Sequence, residues 1–266
     1  MNQFHGLTDF TFNGYSSKLY SLKMVEVGDS DTSIKFGITR EAETTEGVNY
    51  DSFIQYKNKT NSFPITIMKM TEGLIPLSFN KNDYDILAKW LYGNNNSYNI
   101  LNVGDKVYYG HFSDVGELKE YKNCGYITLT FQMASPYVYS NIVNAEYYID
   151  KQKIITLENK SITDILDMDI EVELLDNTSN IVITNITTQE NVSLQGITKA
   201  EDKHFYIKSD DMTITNMNKN YKDNIMIGYL QNDEFLKLRY GVNKLKIVVN
   251  GKARVKFIFQ NELALT

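Results

Sequence analysis

The residues best suited to chemistry in this chain are histidines and pairs of acids. His5, His111 and His204 lie far apart, and none has an H-x-x-x-H or H-x-H spacing, so a metal site would need distant segments to converge. A glycosidase places two carboxylates about 5–10 Å apart across a sugar. Every acid pair here lies in a polar turn, where Asp favours turn formation; the pairs are Asp29 with Asp31, Asp114 with Glu117, and Asp210 with Asp211. We predict no catalytic residue and no metal site.

Covalent catalysis and nucleotide binding also lack a recognisable motif. Cys124 is the chain's one cysteine, and no G-x-S-x-G, G-x-x-x-x-G-K-[ST] or G-x-G-x-x-G sequence occurs. We therefore predict that the protein is not an enzyme and carries no cofactor.

Charge and hydropathy argue against two classes of partner. The 266 residues carry a formal net charge of −6, whereas a nucleic-acid binder shows a basic surface that neutralises phosphates. No apolar run approaches the roughly 18–20 residues that cross a bilayer. The opening MNQFHGLTDFTF lacks the basic and apolar regions of a signal peptide. We predict no nucleic-acid site, no membrane contact and no secretion by signal peptide.

The elements that would position these residues are mostly strands. Residues 126–133 alternate strictly between polar and apolar side chains, and Pro136 ends the ladder because it has no N–H to donate. Asn13 and Gly14 predict a tight turn between two further strands. The predicted dry face of the strand at 126–133 consists of Ile127, Leu129, Phe131 and Met133.

One amphipathic helix is predicted at about residues 82–92. Asn82 would be its N-cap and Gly93 its C-terminal stop. The predicted buried stripe consists of Tyr84, Leu87, Ala88 and Leu91, with Trp90 on its flank. We interpret Trp90 as a core residue; the alternative is a ring on which a ligand stacks.

After residue 140 the sequence consists of short alternating strands separated by Asn, Asp and Gly, which is typical of an antiparallel β-sandwich. The last predicted hairpin turns at Asn250-Gly251, a pair that favours a type I′ turn. Its inward-facing residues would be Leu245, Ile247, Val249, Val255, Phe257 and Phe259. The predicted domain boundary near 136–141 gives an N-terminal domain, 1–138, and a C-terminal domain, 139–266.

Residues 41–62 form a long polar segment with scattered aromatic side chains, and such long segments are uncommon inside compact domains. One interpretation is a hairpin arm that reaches a neighbouring subunit; the other is a hairpin folded against its own domain. The chain also holds 19 Tyr and 13 Phe, and aromatic residues concentrate in cores and interfaces. The predicted subunit-interface residues are Val48, Tyr50, Phe53, Tyr56, Tyr108 and Tyr109, and the predicted domain-junction residues are Pro136, Tyr137 and Tyr139.

Five segments carry a family resemblance. The succession NDYDILAKWLYG, YNILNVGDKVYYGHF and LTFQMASPYVYS, together with the opening FTFNGYSSKLYSL and the ending RYGVNKLKIVVNGKARVKFIFQNEL, resembles the distal tail proteins of long-tailed bacteriophages. The resemblance covers both ends and the middle of the chain and is only generic between about 141 and 235. It implies a mainly β fold: an N-terminal barrel-like or sandwich-like domain with one helix, and a C-terminal galectin-like sandwich.

The resemblance also implies a function. Proteins of this family are structural virion proteins that form a hexameric ring at the tail tip, between the tail tube and the baseplate or receptor-binding apparatus. It therefore implies that the partners are further copies of the chain, the tail tube protein, a tail-tip protein and baseplate or receptor-binding proteins. The expected location is the tail tip of a virion assembled in the bacterial cytoplasm.

Two other functions stay open from the sequence. A carbohydrate-binding module would stack sugars on aromatic side chains, and residues 203–240 offer His204, Tyr206, Tyr221, Tyr229 and Tyr240. A cell-wall hydrolase would use one of the acid pairs. Fold by itself does not decide among these functions.

Overall fold

The computed structural model describes residues 7–25, 40–45, 53–58, 60–93, 99–113, 117–121, 124–217, 228–232 and 234–264. In 40–45, 53–58 and 117–121 it describes the backbone alone. The chain divides into two compact units: unit 1 comprises residues 1–139 with 264–266, and unit 2 comprises residues 140–263.

Unit 1 is built from short antiparallel strands and one α-helix. Its elements are β1 (Phe10–Phe12), β2 (Tyr15–Ser16), a 3-10 turn (Ser17–Tyr20), β3 (Leu22–Met24), β4 (Arg40–Thr45), β5 (Phe53–Asn58), β6 (Ser62–Met70), β7 (Pro76–Leu77), α1 (Lys81–Tyr92), β8 (Asn99–Val103), β9 (Lys106–Phe112), β10 (Glu117–Tyr121) and β11 (Cys124–Met133). β12 (Val138–Ser140) spans the division between the units.

The main sheet of unit 1 curls until its ends meet. Its strand order is β2-β1-β8-β9-β11-β6-β3, and Thr8, just before β1, pairs with Met24 in β3 through two backbone hydrogen bonds of 2.9 Å. The turn between β1 and β2 has φ of 50° at Asn13 and 80° at Gly14, as the sequence predicts. The predicted dry face of β11 is also confirmed, because all four of its residues are buried.

Helix α1 covers one side of this core. It begins at Lys81, and its N-cap lies two residues before the predicted one. Its N-cap is Asn80 rather than Asn82, because the Asn80 side chain accepts from the Asp83 amide while the Asp83 carboxylate accepts from the Asn80 amide. Ala88 is exposed and Tyr84 half-buried, so the predicted stripe is wrong at both positions. The buried residues are Leu87, Trp90 and Leu91.

The contacts of Trp90 account for the side of the helix that is buried. Its indole Nε1 donates to the carbonyl oxygen of Phe12 at 3.1 Å, and its ring packs on Phe10 and Tyr20 with centroids 5.6 and 4.5 Å away. A large ring with one polar atom is best buried where that atom finds a partner. Trp90 is buried in the core, as its interpretation as a core residue predicts.

Unit 2 is a curled antiparallel sheet around an aliphatic core. Its elements are β13 (Val143–Asn159), β14 (Ile165–Asp167), β15 (Asp169–Leu175), β16 (Ile181–Asn185), β17 (Asn191–Leu194), a 3-10 turn (Ala200–Asp202), β18 (His204–Lys208), β19 (Thr213–Asn216), β20 (Lys237–Arg239), β21 (Gly241–Phe259) and β22 (Glu262–Leu263). The main sheet has the order β17-β16-β21-β15-β18-β19, β13 also pairs with β21, and β14 pairs with β20.

The predicted hairpin at Asn250-Gly251 is wrong. β21 continues through both residues and stays paired with β13 on either side, with Val248 opposite Gln152 and Lys252 opposite Asp150. On its other edge β21 changes partner at this point, from β16 to β15. The six predicted inward residues are nevertheless all buried, because the number of residues between the two halves preserves the alternation.

Polar contacts stabilise a bulge, rather than a turn, at Asn250-Gly251. The Asn250 side-chain oxygen accepts from the amides of Ser179 and Asn180 at 2.9 and 3.0 Å, and its amide group donates to Ser179 Oγ at 3.0 Å. A Cβ at Gly251 would collide with the Thr178 hydroxyl, so glycine is needed there for close approach and not for a positive φ.

The predicted fold class is confirmed. The described residues are mainly in antiparallel strands, the sheets curl into half-barrels, and α1 is the only α-helix among those residues.

Candidate functional site

The acid pair described in full is part of a turn rather than a reaction site. Asp210 and Asp211 share the Lys208 ammonium, at 3.2 and 2.9 Å, in the turn that follows β18. Hydrogen bonds from Thr213 and Lys208 hold the pKa of Asp211 below its ordinary value. Asp29, Asp31 and Asp114 lie outside the described residues, as does the side chain of Glu117.

The histidines are not brought together with other metal ligands. His111 is exposed on β9, His204 Nε2 lies 2.9 Å from Glu171 Oε1, and His5 is outside the described residues. Within the described ranges no group of three or more His, Cys, Asp or Glu side chains could hold a metal ion.

The densest group of charges lies on the outer face of the unit 2 sheet. Arg254 contacts Glu146 at 3.2 Å and Glu173 at 2.8 Å. Glu171 lies 3.6 Å from Lys256 as well as next to His204. These residues line one shallow depression, and each charge faces an opposite one across neighbouring strands. Such cross-strand pairs stabilise sheet pairing, and they leave no unpaired group for acid–base work.

Two of the aromatic side chains proposed for sugar stacking donate their hydroxyl groups to acids of unit 2, while Tyr240 is 68% exposed. Tyr206 donates to Asp169 at 2.8 Å, and Tyr229 donates to the buried Asp202 at 3.0 Å. No ring contact joins His204, Tyr206, Tyr229 and Tyr240 within the part of the chain that is described, and Tyr221 lies outside it. The described residues therefore show no assembled sugar platform.

The predicted arm contains a two-stranded hairpin. β4 and β5 pair from Arg40–Asn58 to Thr45–Phe53, and among the described strands neither pairs with any other. Phe53 and Tyr56 lie on β5, where only the backbone is described. Val48 and Tyr50 lie outside the described residues. The hairpin therefore adds no strand to the main sheet of unit 1.

Tyr108 is wrong as an interface residue. Its side chain has 0% exposed area and packs against Phe63 with ring centroids 5.3 Å apart, so it has no surface to offer a second subunit. Burial raises the pKa of its hydroxyl, which has no hydrogen-bond partner among the described residues. Tyr108 is therefore a core residue of unit 1.

Tyr109 points the other way and forms a small outer-face cluster. Its ring meets Tyr139 edge-on at 5.1 Å, and Ile100, 40% exposed, lies opposite it on β8. The Tyr139 hydroxyl lies 2.9 Å from Ser135 Oγ, which also accepts from the Tyr137 amide at 3.1 Å. Pro136 and Tyr137, in the turn after β11, and Tyr139, on β12, are all half-buried.

Sequence reasoning missed other exposed apolar side chains of unit 1. These residues lie in turns, in a two-residue strand and in a one-turn 3-10 helix, which are too short for a periodic pattern, so no sequence signal marked them. The most exposed are Leu19 at 70%, Ile75 at 64%, Tyr15 at 56% and Leu74 at 51%. Surfaces of this kind are typical of contact with other proteins when they are contiguous.

The described residues thus form a mainly β protein with exposed apolar side chains, and no reaction site is assembled among them. Residues 6–135 match the family described as the phage tail protein N-terminal domain. The N-terminal region of the chain is therefore similar to phage tail protein N-terminal domains, which bears out the resemblance to phage tail proteins inferred from the sequence.

Solved structures share the fold over nearly the whole chain. SPP1 Dit (gp 19.1), described as a paradigm of the hub adsorption apparatus in phages infecting Gram-positive bacteria, matches with a TM-score of 0.59 and 11% identity, over 96% of this chain and 99% of that one. A chain of the phage P2 baseplate in its activated, calcium-containing conformation matches with a TM-score of 0.50 and 8% identity, over 95% and 97%. No curated protein matches in sequence.

No helix among the described residues is long and apolar enough to cross a membrane.

Proposed function

We propose that this chain is a structural distal tail hub protein of a phage or tail-derived particle. In this proposal six copies form a ring at the tail tip, with residues 1–138 building the ring and residues 139–266 projecting as a galectin-like domain. The observation that carries the proposal is the likeness to SPP1 Dit, which runs through both units rather than through one shared domain. The family match of residues 6–135 supports the tail assignment independently.

Copies of the chain would contact one another through the β4–β5 hairpin. A hairpin whose strands pair only with each other among the described strands leaves backbone edges for a neighbour. Tyr109 and Tyr139, on the outer face of unit 1, form a second candidate contact. Contacts of this head-to-tail type close into a ring when the rotation between subunits divides a full turn.

The ring would connect two sets of tail proteins. One face would bind the tail tube protein, and the other would bind tail-tip, baseplate or receptor-binding proteins. The role is geometric and involves no catalysis.

The mass of the full-length protein in solution tests the ring. Light scattering after size exclusion should give about six times the chain mass of 30.7 kDa. A single-chain mass at micromolar concentration, also in the presence of the tail tube protein, would overturn the ring.

Deleting residues 48–56 tests the role of the hairpin. The melting temperature should change little, since the hairpin contributes no strand to the main sheet. Ring assembly should weaken at least about tenfold, because interface aromatics often carry about 2 kcal/mol or more each. Loss of folding, or an unchanged ring, would contradict the arm interpretation.

A further inference from the structure

The longest free edge in the described structure belongs to β13. This strand has 17 residues and pairs with β21 along its length. Among the described residues no named strand pairs with its other side, where Tyr240 bridges to Asn159 at the very end of the strand. β21, in contrast, is paired on both edges. A long strand edge presents a row of backbone donors and acceptors to any extended chain that can align with it.

One hydrogen bond shows which backbone groups of β13 point outward. The Leu174 amide donates to the Lys203 carbonyl at 2.8 Å, so residue 174 faces the β18 side of β15. Antiparallel strands alternate, so the odd-numbered residues of β15 face β21, and the odd-numbered residues of β13 from 143 to 149 do as well. The N–H and C=O groups that point away from the sheet are those of Asn144, Glu146, Tyr148 and Asp150.

Within the described residues, one side chain reaches these outward groups. Lys153 Nζ donates to the Tyr148 carbonyl at 3.4 Å while lying 5.4 Å from the centre of the Tyr147 ring. That bond is long and exposed, so an incoming amide can replace it. A register shift between Asp150 and Gln152, with φ of 62° at Lys151, ends the regular edge just before Lys153. Bulges and lysines are devices that limit edge pairing, and here they leave residues 144–150 as the usable segment.

The two faces of this segment specify the chemistry of an added strand. On the core side, Val143, Ala145 and Tyr147 are partly buried against the unit 2 core and form its rim. Apolar side chains at alternate positions of the added strand would extend that core. On the outer side, Glu146 and Asp150 are exposed acids. Glu146 already contacts Arg254 of β21 at 3.2 Å, and Asp150 lies opposite Lys252 of the same strand. An exposed carboxylate can pair with a second base, so basic residues on the added strand would be favoured opposite both acids.

We propose that residues 144–150 of β13 bind an extended segment of a second polypeptide by strand addition, with apolar residues alternating with basic ones. In the absence of this segment, the Lys153 side chain occupies the Tyr148 carbonyl, and the added strand displaces it. The site lies wholly in unit 2, so it stands or falls independently of the ring.

Hydrogen exchange of the full-length protein tests the site with a defined probe. The probe is a capped peptide of about seven residues that alternates valine with lysine. Adding it should slow exchange of the amides of residues 144, 146, 148 and 150 at least about tenfold, with no comparable change elsewhere. Protection of these amides before the peptide is added would mean that the edge is covered by the chain itself or by a second copy, and would overturn the proposal. Absence of protection at millimolar peptide would overturn it too.

Matched variants separate backbone pairing from side-chain contact. Tyr148→Pro removes an outward N–H without removing a bond to β21, and should reduce peptide affinity at least about tenfold, whereas Tyr148→Ala should keep most of it. Lys153→Met should increase affinity severalfold. Equal affinity of the two Tyr148 variants would refute strand addition.

Asp150→Lys tests the charge preference without proline. It should weaken binding of the lysine peptide and favour a version with glutamate in place of lysine. An unchanged preference would contradict the proposed partner chemistry.

Discussion

The sheet of unit 1 closes on itself, whereas the sheet of unit 2 stays open along β13. In unit 1 the bridge between Thr8 and Met24 joins the first and last strands of the curl. In unit 2 the β13 edge has no neighbouring strand among the described elements. A closed sheet can contact partners only through its faces and appended segments, while an open sheet also offers backbone pairing. The two units are therefore suited to different kinds of assembly contact.

The cores of the two units also differ, in the type of side chain that fills them. Unit 1 is filled by interlocking rings, among them Phe12, Phe63, Phe112, Phe131 and Trp90. Unit 2 is filled mainly by Ile, Leu and Val side chains. Rings in mutual contact fix one another's orientation, so unit 1 depends on a few large side chains, and unit 2 on many small ones.

The largest effect is expected at the centre of the aromatic core. Phe131 has 0% exposed area and contacts the rings of Phe63 and Phe112 at 5.6 and 5.3 Å. Phe131→Ala should cost about 3–5 kcal/mol of unfolding free energy, measured by denaturant titration. The control is Thr130→Ala, on the opposite face of the same strand. A cost below about 1 kcal/mol would show that unit 1 does not depend on its ring contacts.

A smaller effect is expected where β21 changes partner in unit 2. Asn250→Ala removes three hydrogen bonds to Ser179 and Asn180 and should cost about 1–2 kcal/mol. Asn250→Gly should cost a similar amount, although glycine is well tolerated in a type I′ turn. A neutral Asn250→Gly would indicate that a turn, rather than a bulge, forms in solution.

The smallest effect concerns a pH-dependent ion pair in unit 1. Burial disfavours ionisation of Asp83, but hydrogen bonds from Lys69, at 2.7 and 2.8 Å, and from the Asn80 amide hold its pKa below the ordinary 3.8. A lowered folded-state pKa stabilises the protein above pH 3.8 and loses that contribution as the pH falls through the folded value.

Lys69→Met should therefore cost up to about 1 kcal/mol near neutral pH and progressively less in acid. Unfolding titrations of both proteins between neutral pH and the acid limb measure this difference. The control is Lys81→Met, which replaces an exposed lysine on α1, the helix that carries Asp83. A cost that stays constant through the acid range would assign the effect to packing instead of charge.

The sequence by itself determined which residues of most strands face inward. In β11, β15 and both halves of β21 the apolar residues alternate, and alternation depends only on the two-residue repeat of an extended backbone. The Asn13-Gly14 turn was predictable for a similar reason, because it joins two short strands that pair directly with each other. The helix was predictable in place and length to within one residue.

Tertiary structure decided what local patterns leave open. Asn250-Gly251 has the residues of a turn, but β13 pairs with both halves of β21, and the Thr178–Asn180 segment packs against the bend. β13 itself was missed because its apolar alternation breaks at Lys151, where the register shifts.

Which side of α1 is buried, and whether Tyr108 is buried, depended on residues distant in sequence. Trp90 turned inward because the Phe12 carbonyl was available to its indole, 78 positions away in sequence. Tyr108 and Tyr109 are adjacent and of one type, yet one is in the core and the other on the outer face. Local sequence fixes that two neighbours in a strand face opposite ways; only the packing of the closed sheet decides which of them is buried.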